Sequence, residues 1–351
     1  MPINYFTLKP YRKIGRAFNF IFGGRGIGKT FNGIYEPIFE YGLKEIYMRR
    51  TSKELDTIAA NDSNMDMSPF AKINKRSHDP RYMNKTLKPT ELHMEKLNKD
   101  IYGIYNGFDE PKHVGMALAL STVATIRSFD ASDYDCMIYD EFIPEKHVRK
   151  IGKDDAEGEA FLNAYETINR DREYDGLPPI QCFLMTNAND IACPLLDILN
   201  LTNRIESMRK KKQHFVDLPK MNCTLTLYED KEFKEAKKKT ALYQLTQGTK
   251  FYDMAIENDF AYNDFSLISS RKLSEYKPWA ILGDICIYRH KSRYEYYVSP
   301  HMMECEKYDT TEQDVKRFVQ ERGRFLYGAY LKNQIHFENF KCKKKLLEVI
   351  G

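Results

Sequence analysis

The sequence predicts an α/β fold built on a central, mainly parallel sheet, and three observations predict it. Short apolar runs bounded by glycine and polar residues recur through the first 190 residues, as expected of strands buried on both faces. Segments with helical spacing of apolar residues lie between them. A glycine-rich loop, Gly23-Gly24-Arg25-Gly26-Ile27-Gly28-Lys29-Thr30, joins the first run to the first such segment, a setting in which backbone N–H groups gather at a helix N-terminus to hold an anion.

In chain order, residues 18–22 read as the first strand. Residues 29 to about 41 follow as a helix, with Phe31, Ile34, Ile38 and Phe39 on one face and Gly42 as its stop. Residues 45–49 complete a βαβ unit. Residues 60–113 are polar, proline-punctuated and without sustained period, and they read as a surface insertion with two short strands flanking Asn106-Gly107. Strands resume at 114–120, 136–139 and 181–186. Between the last two, residues 156–172 form a helix with Ala160, Phe161, Ala164 and Ile168 on one side. After about Pro219 a charged helix spans 229–239. A hairpin then pairs 280–288, which carries Asp284, with 293–298 around His290-Lys291-Ser292. The segment 312–340 reads as helical and basic on one side.

At 351 residues the chain suits two unequal domains. With 42% hydrophobic and 30% charged residues it has no apolar run near the ~18 residues of a membrane span. Residues 1–13 lack the pattern of a secretory signal, so an intracellular protein without a membrane partner is expected. Seven scattered cysteines read as reduced thiols. The net charge of +4 gathers at the carboxy-terminal end, where residues 265–351 hold 16 Lys/Arg against 11 Asp/Glu. Basic tracts at 209–212, 234–239 and 341–345 are solvated faces or a footprint for a polyanion.

The loop matches G-x-x-x-x-G-K-[ST] at Gly23, Gly28, Lys29 and Thr30. Its glycines, with Arg25 and Ile27 between them, let amides curl around phosphate; the Lys29 ammonium reaches the β/γ oxygens and the Thr30 hydroxyl suits Mg²⁺. ATP and Mg²⁺ are the expected cofactors. A buried strand ends in Asp140-Glu141, 111 residues beyond Lys29. Asp140 would hold the metal, and Glu141 would orient and deprotonate an attacking water. An adjacent acid pair of this kind marks the ASCE branch of P-loop NTPases. Asn187, at the end of the strand 181–186, is placed to sense the γ-phosphate, or else forms a turn. Arg170, in Arg170-Asp171-Arg172-Glu173, is the best candidate for a cation acting from a neighbouring subunit, against the ordinary reading of a helix-end arginine.

Taken with Tyr47-Met48-Arg49-Arg50, Tyr139-Asp140-Glu141-Phe142, Asn169-Arg170-Asp171-Arg172-Glu173 and Met185-Thr186-Asn187-Ala188, the loop makes the chain resemble the terminase-like genome-packaging ATPases of small, short-tailed, protein-primed bacteriophages. The ordered motifs span roughly residues 14–190, and weaker similarity around Lys238-Lys239-Thr240 extends it. The resemblance implies a homopentameric ring at the portal, or connector, of an empty capsid in the cytoplasm of the infected bacterium, driving double-stranded DNA inward with ATP. A structural packaging RNA is a further candidate partner. It also implies an ATPase domain (1–222), a linker subdomain (223–264) and an α+β, RNase H-like vestigial nuclease domain (265–351) that binds nucleic acid. Carried over by position, Lys29 and Thr30 take phosphate and Mg²⁺, Asp140 and Glu141 are the metal and catalytic residues, and Arg170 is the finger acting in trans.

The family's lysine after the Arg-Arg pair is displaced, since Ser52 and Lys53 follow Arg49-Arg50-Thr51. Asp284, Glu304, Glu306 and Asp309 read as surface acids rather than a two-metal cluster, so no nuclease activity is expected. The aromatic-basic stretch 288–297 suits contact with DNA, RNA or the portal. A helicase or helicase loader, and a scaffold that binds nucleotide without hydrolysis, are the rival readings.

Overall fold

Apolar runs with no polar alternation have to be covered on both faces, and β1 (Phe18–Gly23) is buried from Asn19 onward. The computed structural model describes residues 5–59, 68–79, 90–98, 101–122, 130–143, 156–187, 191, 193–249, 251–252, 256 and 265–351. The chain divides into two compact units, residues 1–198 with 207–262 and residues 199–206 with 263–351.

The strands of the first unit continue with β2 (Glu45–Arg49), β3 (Leu92–Lys96), β4 (Ile101–Asn106), β5 (Lys112–Ala119), β6 (Cys136–Asp140), β7 (Gln181–Thr186), β8 (Phe215–Leu218) and β9 (Cys223–Tyr228). They form one sheet in the order β3-β4-β5-β2-β6-β7-β1-β9-β8. Six strands from β5 to β9 in that order are parallel, whereas β3 and β4 at one end and β8 at the other run antiparallel to their neighbours. Ile21, Tyr47, Ile138, Phe183 and Met185 line one core beneath the helices. Asn19 is buried among them with its amide satisfied by Arg16 O and the Thr224 hydroxyl.

The chain-order helices are α1 (Lys9–Ile14), α2 (Lys29–Tyr35), α3 (Ser52–Ala59), α4 (Pro69–His78), α5 (Ala156–Asn169), α6 (Pro194–Ile198), α7 (Thr202–Lys210), α8 (Lys231–Lys238) and α9 (Ala241–Leu245). A π-helical turn, Glu36–Glu40, extends α2, where Pro37 lacks the N–H that a regular turn needs.

The segment read as a surface insertion is largely structural. Residues 60–67, 80–89 and 99–100 lie outside the described residues, but the rest supplies α4, capped by the Ser68 hydroxyl on Phe70 N, and the strands β3 and β4 of the main sheet. Only Phe70, Ile73 and Ser77 of α4 are buried. Three core positions in ten residues leave little period to detect.

In the second unit, β10 (Tyr276–Leu282), β11 (Ile285–His290), β12 (Tyr296–Ser299), β13 (Lys307–Tyr308) and β14 (Ile335–Phe337) form a sheet ordered β13-β10-β11-β12-β14. The helices α10 (Glu312–Phe318), α11 (Arg324–Leu331) and α12 (Phe340–Ile350) accompany it. Leu282, Ile287, Val298, Phe318, Leu326 and Leu346 share its core. The expected strand 280–288 is two strands, because Gly283 turns the chain at φ 56°. Asp284 therefore sits in a turn and not on a strand. The expected helix 312–340 ends at Leu331, and β14 precedes a further helix.

Candidate functional site

The loop from β1 to α2 lies at the carboxyl ends of parallel strands, where open α/β sheets place their ligands. Gly26 and Gly28 take φ of 85° and 93°, and a Cβ on Gly28 would come within 3.2 Å of the Tyr5 ring, so both conformation and space require glycine here. Lys29 is buried and folds back, its Nζ donating to Gly23 O (2.8 Å), Gly24 O (2.9 Å) and Asn187 Oδ1 (3.2 Å). Burial pushes its ammonium down to about 8, against the pull of Asp140 and Glu141.

Thr30 Oγ1 donates to Asp140 Oδ2 at 2.8 Å, so the loop and the tip of β6 meet. Asp140 is buried and also accepts from Tyr47 Oη (3.1 Å) and Arg49 Nη1 (3.1 Å). Glu141 turns away from the strand at φ 56°, a left-handed conformation that costs a glutamate on the order of 1 kcal/mol. Its side chain is 54% exposed and pairs with Arg49 Nη2 at 3.0 Å. A cleft of about 340 Å³ opens between these groups, bordered by Lys29, Thr30, Asp140, Glu141 and Asn187. A hydroxyl and a carboxylate at hydrogen-bonding distance are the hard oxygen donors that suit Mg²⁺, and amides, Lys29 and Arg25 at the same cleft suit a polyphosphate.

Sequence reasoning missed three contributions. Arg49 bridges both acids; the motif Tyr47-Met48-Arg49-Arg50 marked it without a role, and its place at the end of a strand parallel to β6 supplies one. Lys72 and Arg76 of α4 also border the cleft, and the Arg76 guanidinium lies 5.9 Å from the Tyr5 ring and 5.5 Å from the Phe31 ring. Arg50 forms a buried two-point pair with Glu157 at 2.6 and 2.9 Å, tying β2 to α5.

The structure does not bring Arg170 to this cleft. It is exposed just after α5, and α5 returns the chain from the tip of β6 to the start of β7, which is parallel to β6. The nearby Arg172 bonds Ser132 O (3.1 Å) and Tyr134 O (2.9 Å), just before β6 begins. Arg170 thus lies at the opposite end of β6 from Asp140, roughly 15 Å of strand away.

Several cations of the basic tracts, read as solvated faces or a polyanion footprint, are paired within the chain. Lys341 and Lys345 both pair with Asp284, at 3.5 and 2.6 Å, and Lys343 is buried with its Nζ on Ser266 O. Lys234 and Lys238 pair with Glu229 and Glu235. Tyr288, Tyr296 and Tyr297 are core residues, so of the stretch 288–297 mainly Arg289 and the turn Lys291–Tyr294 face solvent. Glu306 pairs with Arg322 at 2.6 Å. Among the described residues, no three His, Cys, Asp or Glu side chains converge as a metal site, no helix is long and apolar enough to cross a membrane, and all seven cysteines are free thiols.

The sheet and its loop define an α/β protein with a glycine-rich loop and an acid-lined cleft at the carboxyl edge of parallel strands. This chain belongs to the family described as Podovirus DNA encapsidation protein (Gp16), whose sequence model matches residues 91–284, more than half of its length. A DNA packaging protein of Bacillus phage B103 is 26% identical over 260 residues, covering 73% of this chain and 68% of that one. The DNA packaging protein of Bacillus phage phi29 is 25% identical over 259 residues, with 73% and 66% covered. In fold, the chain is similar to a protein of the bacteriophage Phi-29 viral genome packaging motor assembly, with TM-score 0.63 at 18% identity, covering 99% of this chain and 100% of that one. It is also similar to the Phi-28 gp11 DNA packaging motor, with TM-score 0.57 at 17% identity and 99% and 97% covered.

Proposed function

We propose that this protein is an ATP-hydrolysing motor that drives double-stranded viral DNA into a preformed capsid through its portal, as a ring of identical subunits, five by the resemblance. The observation that carries the reading is the 2.8 Å bond from Thr30 to Asp140, which joins the phosphate loop to an acid-tipped strand at one point. Membership of a DNA encapsidation family supports DNA as the cargo.

Mg²⁺-ATP, when bound, supplies the phosphoanhydride bond whose cleavage drives the cycle. The amides of Gly23 to Gly28 and the Lys29 ammonium hold the phosphates. The Thr30 hydroxyl and the Asp140 carboxylate hold the cation, and Glu141 takes a proton on a carboxylate oxygen from the attacking water. Asn187, bonded to Lys29, orients the lysine toward the terminal phosphate. Arg170, remote from its own cleft, serves the cleft of a neighbouring copy. The carboxy-terminal unit acts as a vestigial, RNase H-like nucleic-acid-binding domain without nuclease activity, since Asp284 and Glu306 are neutralised by lysine and arginine.

The test is Glu141→Gln. The variant is expected to bind ATP with near wild-type affinity and to lose turnover by at least ~100-fold; unchanged turnover would overturn the assignment. Stimulation of turnover by duplex DNA separates a motor from a nucleotide-stabilised scaffold, and unwinding of a forked duplex would favour a helicase. Mn²⁺-dependent cutting of plasmid would overturn the absence of nuclease activity.

A further inference from the structure

A phosphate loop works only if its peptide planes are turned so that N–H groups face the ligand, and glycine-rich backbone does not hold that orientation unaided. Here an element far along the chain touches the loop from behind. Lys237, on α8, donates from Nζ to Arg25 O at 2.7 Å. Its ammonium also lies 4.7 Å from the Tyr243 ring and 5.8 Å from the Phe233 ring, an arrangement that fixes a cation by its contacts with ring faces. Phe233 itself reaches to 3.5 Å from where a Cβ on Gly26 would stand, an ordinary packing distance on that face of the loop. The helix is anchored by its Asp230 cap on Phe233 N at 2.7 Å and by Phe233, which packs against the same core as Tyr228 at the end of β9.

The two sides of the loop are distinct. Gly24 and Ile27 border the hollow under α8, while Arg25, Gly26, Gly28 and Lys29 border the ligand cleft. In a trans peptide the C=O and the following N–H point in opposite directions. Holding Arg25 O toward Lys237 therefore turns the Gly26 N–H away from α8, to the side of the cleft.

We propose that Lys237 is a positioning residue for nucleotide binding: its hydrogen bond to Arg25 O sets the Arg25–Gly26 peptide so that the Gly26 amide is presented to the phosphates. The inference rests on the reading of Gly23 to Thr30 as the ATP site. It adds that the loop is not a self-sufficient binding element, because its donor set is completed by a side chain more than 200 residues downstream. Loop amides cradle the α and β phosphates while the lysine reaches β and γ. ADP and ATP are therefore expected to weaken together when Lys237 is lost.

The experiment compares ADP and ATP affinities of the full-length chain by calorimetry for wild type, Lys237→Met, Lys237→Arg and Lys29→Ala. Loss of a charge-assisted hydrogen bond corresponds to about a tenfold change. Lys237→Met, which keeps the apolar stem, is expected to bind both nucleotides about tenfold more weakly at a Tm within a few degrees of wild type. Lys237→Arg, which keeps a donor, is expected to recover most of that loss. Wild-type affinity in the methionine variant, or equal weakening in the arginine variant, overturns the proposal. If Lys237→Met does not fold, Lys237→Gln, a shorter donor, must fall between wild type and Lys29→Ala. No binding by wild type, or no effect of Lys29→Ala, would instead defeat the reading of the loop on which the proposal stands.

Discussion

In the amino-terminal unit Asp140 takes donors from Thr30, Tyr47 and Arg49, on two elements about 90 and 110 residues away in sequence. In the carboxy-terminal unit Asp284 takes Lys341 and Lys345 from successive turns of one helix. Both acids are paired, yet the surroundings differ. Around Asp140 the partners leave a second acid half exposed and a cleft beside it; Asp284 and Glu306 are answered by lysine and arginine in pairs at the surface of their unit. Charge held at a cleft is available to a ligand, whereas charge closed within a surface pair contributes little.

The sharpest way to break this comparison is to neutralise both acids. Asp140→Asn is expected to lower ATP turnover by about 10³-fold, a loss of several kcal/mol of charge stabilisation, whereas Asp284→Asn should leave it within about twofold; equal effects in a steady-state assay would erase the distinction. Next in size is the buried Arg50–Glu157 pair, with side chains 2% and 7% exposed. Glu157→Ala is expected to cost about 3 kcal/mol in urea unfolding, because it strands a buried guanidinium.

A smaller, pH-dependent effect comes from two buried carboxyls, Glu36 at the start of the π-helical turn and Glu45 at the start of β2. Glu36 is pushed up to about 7 by burial, against hydrogen bonds from Thr7 and Leu8 N, and Glu45 is raised in the same direction by burial alone. A folded-state value above the free one means that the stabilisation is complete below about 4.5 and is lost as pH rises through about 7. Stability should fall by about 2 kcal/mol between pH 5 and 7, and Glu36→Gln should flatten much of that slope. Smallest of all, Lys316→Ala, which removes an exposed i,i+4 pair with Glu312, is expected to change stability by less than ~0.5 kcal/mol.

Much of the sheet was legible because parallel strands leave local traces: residues 45–49 and 181–186 are strands at those bounds, and the segment before Asp140 is another. What failed was what pairing decides. A strand ending at Asn106 was expected and is β4, but β3 becomes a sheet strand only by lying beside β4, and the break at Gly283 hides inside an apolar run because Asp284 is one polar residue among many tolerated in strands. At the site, glycines and a lysine at fixed spacing announced the loop, and Asp140-Glu141 announced the acids. The roles of Arg49 and Lys237 did not stand out, since an arginine after an apolar run and a lysine in a charged helix are ordinary residues until three-dimensional proximity gives them partners.

Arg170 lies at the end of β6 away from Asp140 and on the surface. In the ring proposed above, this makes hydrolysis a property of the junction between two chains. Activity per molecule should then depend on protein concentration: diluted subunits fall nearly silent, and specific turnover climbs steeply as copies meet. An inactive copy placed beside an active one would also silence a cleft it does not contain, so the loss on mixing would exceed the fraction of damaged chains.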